Sequence, residues 1–152
     1  GVLLIVAAAS LFGWVLTTTR LTEAGAEALL NLTNNKYIIL LLINVLLLVV
    51  GCFLEPIASI SILVPVLMPI ILKVGIHPVH FGVVMTLNLM IGLLHPPLGM
   101  VLFVLSRIAK LSIERTTMAI LPWLIPLLMS LLAITLIPEL TLWLPRTMGM
   151  LK

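Results

Sequence analysis

The sequence predicts an all-α integral membrane protein, built of transmembrane helices with a re-entrant helical hairpin and one discontinuous helix. Three observations carry that expectation. Hydrophobic residues fill 62% of the 152 positions and charged residues only 9%, against about 25% charged in soluble domains. Apolar runs of helical length recur along the chain, separated by short polar punctuation. Two interruptions place proline where a spanning helix should continue, FLEPIAS at 53–59 and IGLLHPPLGM at 91–100.

The charge pattern excludes other classes. The formal net charge is +3, and the basic residues are scattered at the ends of apolar segments. That is the distribution of Lys and Arg flanking membrane spans, not a nucleic-acid patch, so no nucleic-acid partner is expected. Cys52 is the one cysteine, so no disulfide framework exists.

The first unit covers residues 1–37. Residues 2–16 form an apolar run, and the chain opens on Gly1 without a basic n-region. A piece of a longer polypeptide is expected rather than a signal peptide. Residues 17–37 are the most polar stretch. Leu21, Ala24, Ala28 and Leu32 recur at helical spacing opposite Arg20, Glu23 and Glu27, which fits an amphipathic interfacial helix.

The second unit covers 38–110. Runs 38–54 and 57–72 meet at Glu55-Pro56, and each falls short of the roughly 20 residues a spanning helix prefers. A re-entrant hairpin over 38–73 fits; so does a tilted, kinked pair of ordinary spans. The segment Lys73–Pro78 reads as a turn. Residues 79–94 and 98–110 then form the two halves of a helix broken at His95-Pro96-Pro97.

The third unit covers 111–152. Its span is expected over 119–137, with Pro122 in the first turn and Pro126 as a kink. Beyond it, Trp143 and Arg146 belong at an interface. The cluster Arg107, Lys110 and Arg115 is expected on the cytoplasmic side.

Breaks at membrane depth are sheltered by protein or line a water-filled cavity. They expose carbonyl oxygens and half-helix ends that bind ions. Pro96 and Pro97 supply no N–H, so carbonyls around 92–97 lose helical partners and become candidate ligands for a hard cation. Gly92 and Gly99 permit close backbone approach. The other interruption adds oxygens from Gly51, Glu55 and Ser59. If both interruptions meet, they frame one ion site.

At these residues a resemblance emerges. GCFLEPIASISILVPVLMPI, GIHPVHFGVVMTLNLMIGLLHPPLGMVLFV and ERTTMAILPWLIPLL resemble the C-terminal part of the large membrane subunit of TRAP (tripartite ATP-independent periplasmic) transporters. The resemblance implies most of the second inverted repeat of an elevator-type transporter. It also implies a multi-pass protein of the bacterial inner membrane that imports organic acids by sodium symport. Its implied partners are a small membrane subunit and a periplasmic substrate-binding protein. No catalytic residues follow, and Na+ is the coupling ion. The family's second sodium site matches a hairpin tip like Gly51–Ala58 facing a break like Gly92–Gly99. The expected sodium set is therefore Gly51, Glu55, Ala58, Gly92, His95, Pro96, Pro97 and Gly99. The family usually has Thr where this chain has His95, and often an acid where it has His77. His95 then contributes its backbone carbonyl or brings proton sensitivity.

Each candidate also has a plainer reading. Glu55 either acts in the site or caps a helix. Asn44 is expected to bond a neighbouring helix. Asn88 is expected to brace the break rather than face substrate, beside Thr86. Ser59 and Ser61 can bond their own helix backbone. An alternative transporter of the same class would be proton-coupled through His95 or Glu55. An intramembrane metalloenzyme using His77, His80, His95 and Glu55 is a different class. It lacks the HExxH pair, and no transition-metal site is expected. A purely structural subunit leaves both interruptions without a purpose.

Overall fold

A computed structural model describes residues 35–96 and 99–151, together with positions 3, 4, 7, 8, 11, 14, 15, 18, 19, 27 and 33. The expected first span and the interfacial helix over 17–37 lie almost wholly outside the described residues, and so does Pro97. All regular structure among the described residues is helical, as the composition implies.

Helix α1, Lys36–Phe53, starts at Asn35, whose side chain accepts from the N–H of Tyr37. Helix α2, Pro56–Lys73, starts at Glu55, with Pro56 in the first turn where no N–H is missed. Helix α3, Pro78–Gly92, repeats the pattern, with His77 as cap and Pro78 behind it. Helix α4, Met100–Ala109, resumes after the break and ends on Lys110 in the left-handed conformation. Helix α5, Ile113–Leu136, is capped by Ser112. Helix α6 covers Glu139–Thr147.

Helices α1, α2 and α5 are long and apolar enough to cross a membrane. At 1.5 Å per residue, 18 residues reach about 27 Å and 24 reach about 36 Å, bracketing a hydrocarbon core of about 30 Å. Neither α3 nor α4 reaches that length alone. Helix α5 exposes Met118, Trp123, Ile125 and Met129, a surface suited to lipid or to further protein.

The expected last span is corrected in two respects. It begins at Ile113, not 119, because Ser112 caps it, and it stays continuous through Pro122 and Pro126. Pro122 therefore sits in the body of the helix, not in its first turn. The segment after it, read only as interfacial, forms α6.

Helix α3 is the centre, packing against α1, α2, α5 and α6. Phe81, Met85 and Leu89 join Ile39, Ile43 and Leu47 of α1 and Leu67, Ile70 and Ile71 of α2 in one core. Val84 and Ile91 pack with Leu124 and Leu131 of α5 in a second. A helix that buries apolar residues on several sides shows no single greasy stripe. Contacts of Asn44 with Asn88 and of Gly51 with Gly92 keep nearly constant sequence separation, so α1 and α3 run parallel. Thr135, near the C-terminal end of α5, meets Asn44, in the first half of α1.

Candidate functional site

Parallel packing brings the two interruptions together. A Cβ on Gly92 would lie 2.8 Å from the Cα and carbonyl carbon of Gly51, and a Cβ on Gly51 would lie 3.2 Å from Gly92 Cα. The end of α1 therefore meets the end of α3 backbone against backbone, the close approach that small residues allow between membrane helices. Just beyond, Cys52 Sγ lies 3.6 Å from His95 Nδ1 and 3.7 Å from the His95 carbonyl oxygen. Val45, Val49, Cys52, Phe53, His95 and Pro96 line a cleft of about 290 Å3 at this junction.

The break is tightly wound. A Cβ on Gly99 would lie 2.5 Å from the Leu93 oxygen and 3.0 Å from the His95 oxygen. The carbonyls of Gly92 and Leu93 lose their i+4 donors to Pro96 and Pro97, as the sequence implies, and find others. Gly92 O accepts from His95 N at 3.1 Å, Leu93 O from Val101 N at 3.3 Å, and His95 O from Gly99 N at 3.2 Å. The proline gap is closed by a shorter turn at Gly92 and by one bond from α4 to Leu93, while the His95 bond has ordinary helical spacing. Each carbonyl keeps a second lone pair.

Glu55 occupies the α1–α2 junction. Its Oε2 accepts from Ala58 N at 3.1 Å, and its carbonyl accepts from the Ser59 hydroxyl at 3.0 Å. Those bonds stay within the α1–α2 pair, so Glu55, Ala58 and Ser59 form one capped turn. Ser61 bonds back to Ile57 O. Thr86 bonds Gly82 O on its own helix and is exposed. Asn88 is fully buried, and its Nδ2 donates to both the carbonyl and Oδ1 of Asn44 at 3.0 Å. Asn44 Nδ2 continues to Thr135 Oγ1 at 2.8 Å, as a helix-bridging residue should. The structure thus gathers Gly51, Gly92, His95, Pro96 and Gly99 at one junction, places Glu55, Ala58 and Ser59 at the adjoining turn, and sets Thr86 and Asn88 apart.

Two features escaped the sequence reading. Cys52 looked inert in its apolar run, and no local signal pairs it with His95 across 43 residues. His80 is buried, with Nδ1 2.8 Å from Thr141 Oγ1. Among the described residues no three of His, Cys, Asp and Glu come together as a metal-binding group, so the ligand set of the metalloenzyme alternative is not assembled.

Spans of bilayer length, an outward apolar surface and a helix broken beside a second interruption define a polytopic membrane protein. The comparisons narrow this class to one family. The sequence profile described as "Tripartite ATP-independent periplasmic transporter, DctM component" matches residues 1–140. The chain is 44% identical over 145 residues to the sialic acid TRAP transporter large permease protein SiaM of Vibrio cholerae, covering 95% of this chain and 34% of that protein. It is 47% identical over 134 residues to the isethionate TRAP transporter permease protein DctMQ of Oleidesulfovibrio alaskensis, covering 88% and 21% respectively. It is 42% identical over 146 residues to the C4-dicarboxylate TRAP transporter large permease protein DctM of Pseudomonas aeruginosa, covering 96% and 34%. The chain belongs to the DctM family of TRAP transporters, whose members are transporter permeases and not enzymes. It spans about a third or less of the length of these relatives.

Proposed function

We propose that this chain is part of a sodium-coupled secondary transporter that imports small organic acids across the bacterial inner membrane. It would work with a small membrane subunit and a periplasmic binding protein. The observation that carries the reading is the backbone contact of Gly51 with Gly92, which sets the α1–α2 junction against the α3–α4 break. Sialic acid and C4-dicarboxylates, named for two relatives, carry carboxylates, and isethionate, named for a third, carries a sulfonate.

The residues present fit Na+, because a hard cation takes oxygen ligands and unwound backbone supplies them. The carbonyls of Gly51, Gly92, His95 and Pro96 are the first candidates. Glu55, Ala58, Pro97 and Gly99 complete the set or shape it. Bound Na+ would favour one state of an elevator-type moving domain, with α1 and α2 as its re-entrant hairpin, and substrate would favour the same state. Two ligands linked through one conformation raise each other's affinity.

Uptake in proteoliposomes tests this, using the complete large subunit, its small subunit and its binding protein. An inward sodium gradient is expected to drive uptake, and choline in place of sodium to abolish it. His95→Thr and His95→Ala are both expected to remain active, since residue 95 contributes its carbonyl. Loss in Ala alone would give the side chain the role, and uptake indifferent to sodium would overturn the reading.

A further inference from the structure

At the end of the bundle remote from the glycine contact, the start of α1, the α2–α3 turn and α6 enclose a pocket of about 370 Å3. Lys36, Tyr37, His77, His80, Glu139 and Arg146 stand in its wall. Arg146 Nη1 donates to Glu139 Oε1 at 2.6 Å, and both side chains are more than half exposed. Such solvent-facing pairs are weak, and a guanidinium has five donors, so Arg146 keeps N–H groups for a further anion. Lys36 Nζ lies over the Tyr37 ring and forms no ion pair among the described residues.

Within this wall, His80 is 1% exposed, and its Nε2 has no hydrogen-bond partner among the described residues. Its Nδ1 meets Thr141 Oγ1, whose hydroxyl lies 2.9 Å from Pro138 O. The Thr135 carbonyl also faces the His80 ring, and the tautomer decides which ring nitrogen donates.

The neighbouring face of α6 is apolar and outward, with Leu140, Trp143 and Leu144 between 57% and 64% exposed. A short amphipathic helix with an outward Trp belongs at the bilayer interface. Lys36 opens one helix of bilayer length and Lys73 closes another at the same end, as basic residues do where apolar segments meet an interface.

We propose that this pocket holds the phosphate of an anionic phospholipid headgroup, gripped by Lys36 and Arg146, with the acyl chains along Leu140, Trp143 and Leu144. A basic pocket between membrane helices provides what a lipid phosphate requires. The adjoining apolar strip distinguishes a lipid from free phosphate, which has no use for it. Phosphatidylglycerol, whose phosphate carries the headgroup's only charge, is the probe.

The experiment uses the full-length permease subunit in phosphatidylcholine nanodiscs with and without phosphatidylglycerol. Its readouts are melting temperature and phosphatidylglycerol retained per folded protein after extraction. Phosphatidylglycerol is expected to raise the melting temperature. Lys36→Gln and Arg146→Gln are each expected to lose that rise and retain about five-fold less of the lipid. Both side chains are exposed, so in phosphatidylcholine alone the variants should melt with the parent. Lys73→Gln, at the same end but outside the pocket, should behave as the parent. Equal loss in Lys73→Gln would mean diffuse surface charge, and equal retention in all variants would mean no site; either overturns the proposal. If inorganic phosphate in phosphatidylcholine discs reproduces the rise, the ligand is a soluble anion and the lipid assignment falls.

Discussion

Helices α1 and α3 touch at two levels, by opposite means. At Gly51 and Gly92 the contact has no side chains, and each backbone is the other's wall. About two turns earlier in α1, the same helices are joined by Asn44 and Asn88 through side-chain hydrogen bonds. The glycine contact leaves no room to adjust, since a new atom meets main chain that cannot rotate away. The asparagine contact is adjustable, and it extends to a third helix through Thr135. The rigid contact lies next to the break, and the adjustable one ties α1, α3 and α5 together further along the bundle.

The largest expected effect tests the rigid contact. Gly92→Ala places Cβ 2.8 Å from two backbone atoms of Gly51, whereas Gly51→Ala meets its nearest neighbours at 3.2 to 3.4 Å. Overpacking of this kind costs about 1–3 kcal/mol, so Gly92→Ala should fall at the upper end and Gly51→Ala at the lower. Melting of the full-length permease reads the difference. Equal, small losses would mean that the helices do not meet there.

The asparagine contact should yield smaller losses. Hydrogen bonds between membrane helices contribute about 0.6 kcal/mol on average and up to about 1.7. Asn44→Ala breaks links to both Asn88 and Thr135, so it should cost more than Asn88→Ala. Asn88→Ala also removes Oδ1, a buried acceptor without a partner among the described residues, which offsets part of its cost. The same melting assay compares them. If Asn88→Ala costs as much as Asn44→Ala, Oδ1 has a donor elsewhere in the full-length protein.

These two contacts also show what a sequence can reveal. Proline and glycine announce their effects locally, so the junction at Glu55-Pro56 and the break at Pro96-Pro97 were legible, with boundaries right to within about two residues at most ends. The bridging role of Asn44 was legible too, because a polar side chain inside an apolar helix needs a partner. Which partner it finds was not, since Thr135 lies 91 residues away and only packing selects it. That the carbonyls of the break lose their helical partners was legible, but the donors they find instead were not, for a similar reason. Proline removes the usual donors to Gly92 O and Leu93 O, but the N–H groups of His95 and Val101 replace them, and only the folded backbone reveals that. The start of α5 was missed because Ser112, a strong cap, stands before a polar first turn that does not look like a span.

The smallest stability effect asks the sharpest question about the site, because Glu55 has two roles on offer. As a cap, it needs only an oxygen that accepts from Ala58 N. Glu55→Gln keeps that oxygen and should cost a few tenths of a kcal/mol through the lost charge at the helix N-terminus. Glu55→Ala loses the cap and should cost about 1 kcal/mol. As a sodium ligand, it needs the negative charge, which Gln lacks. Under the proposed site, Glu55→Gln should therefore melt almost with the parent yet require about ten-fold more sodium for half-maximal uptake, equivalent to about 1.4 kcal/mol of lost ion binding. If Gln transports at the parent's sodium concentration while Ala is merely less stable, Glu55 is a cap alone. The ion would then rest on the carbonyls where α1 meets the break, and the glycine contact would carry the site without help from any carboxylate.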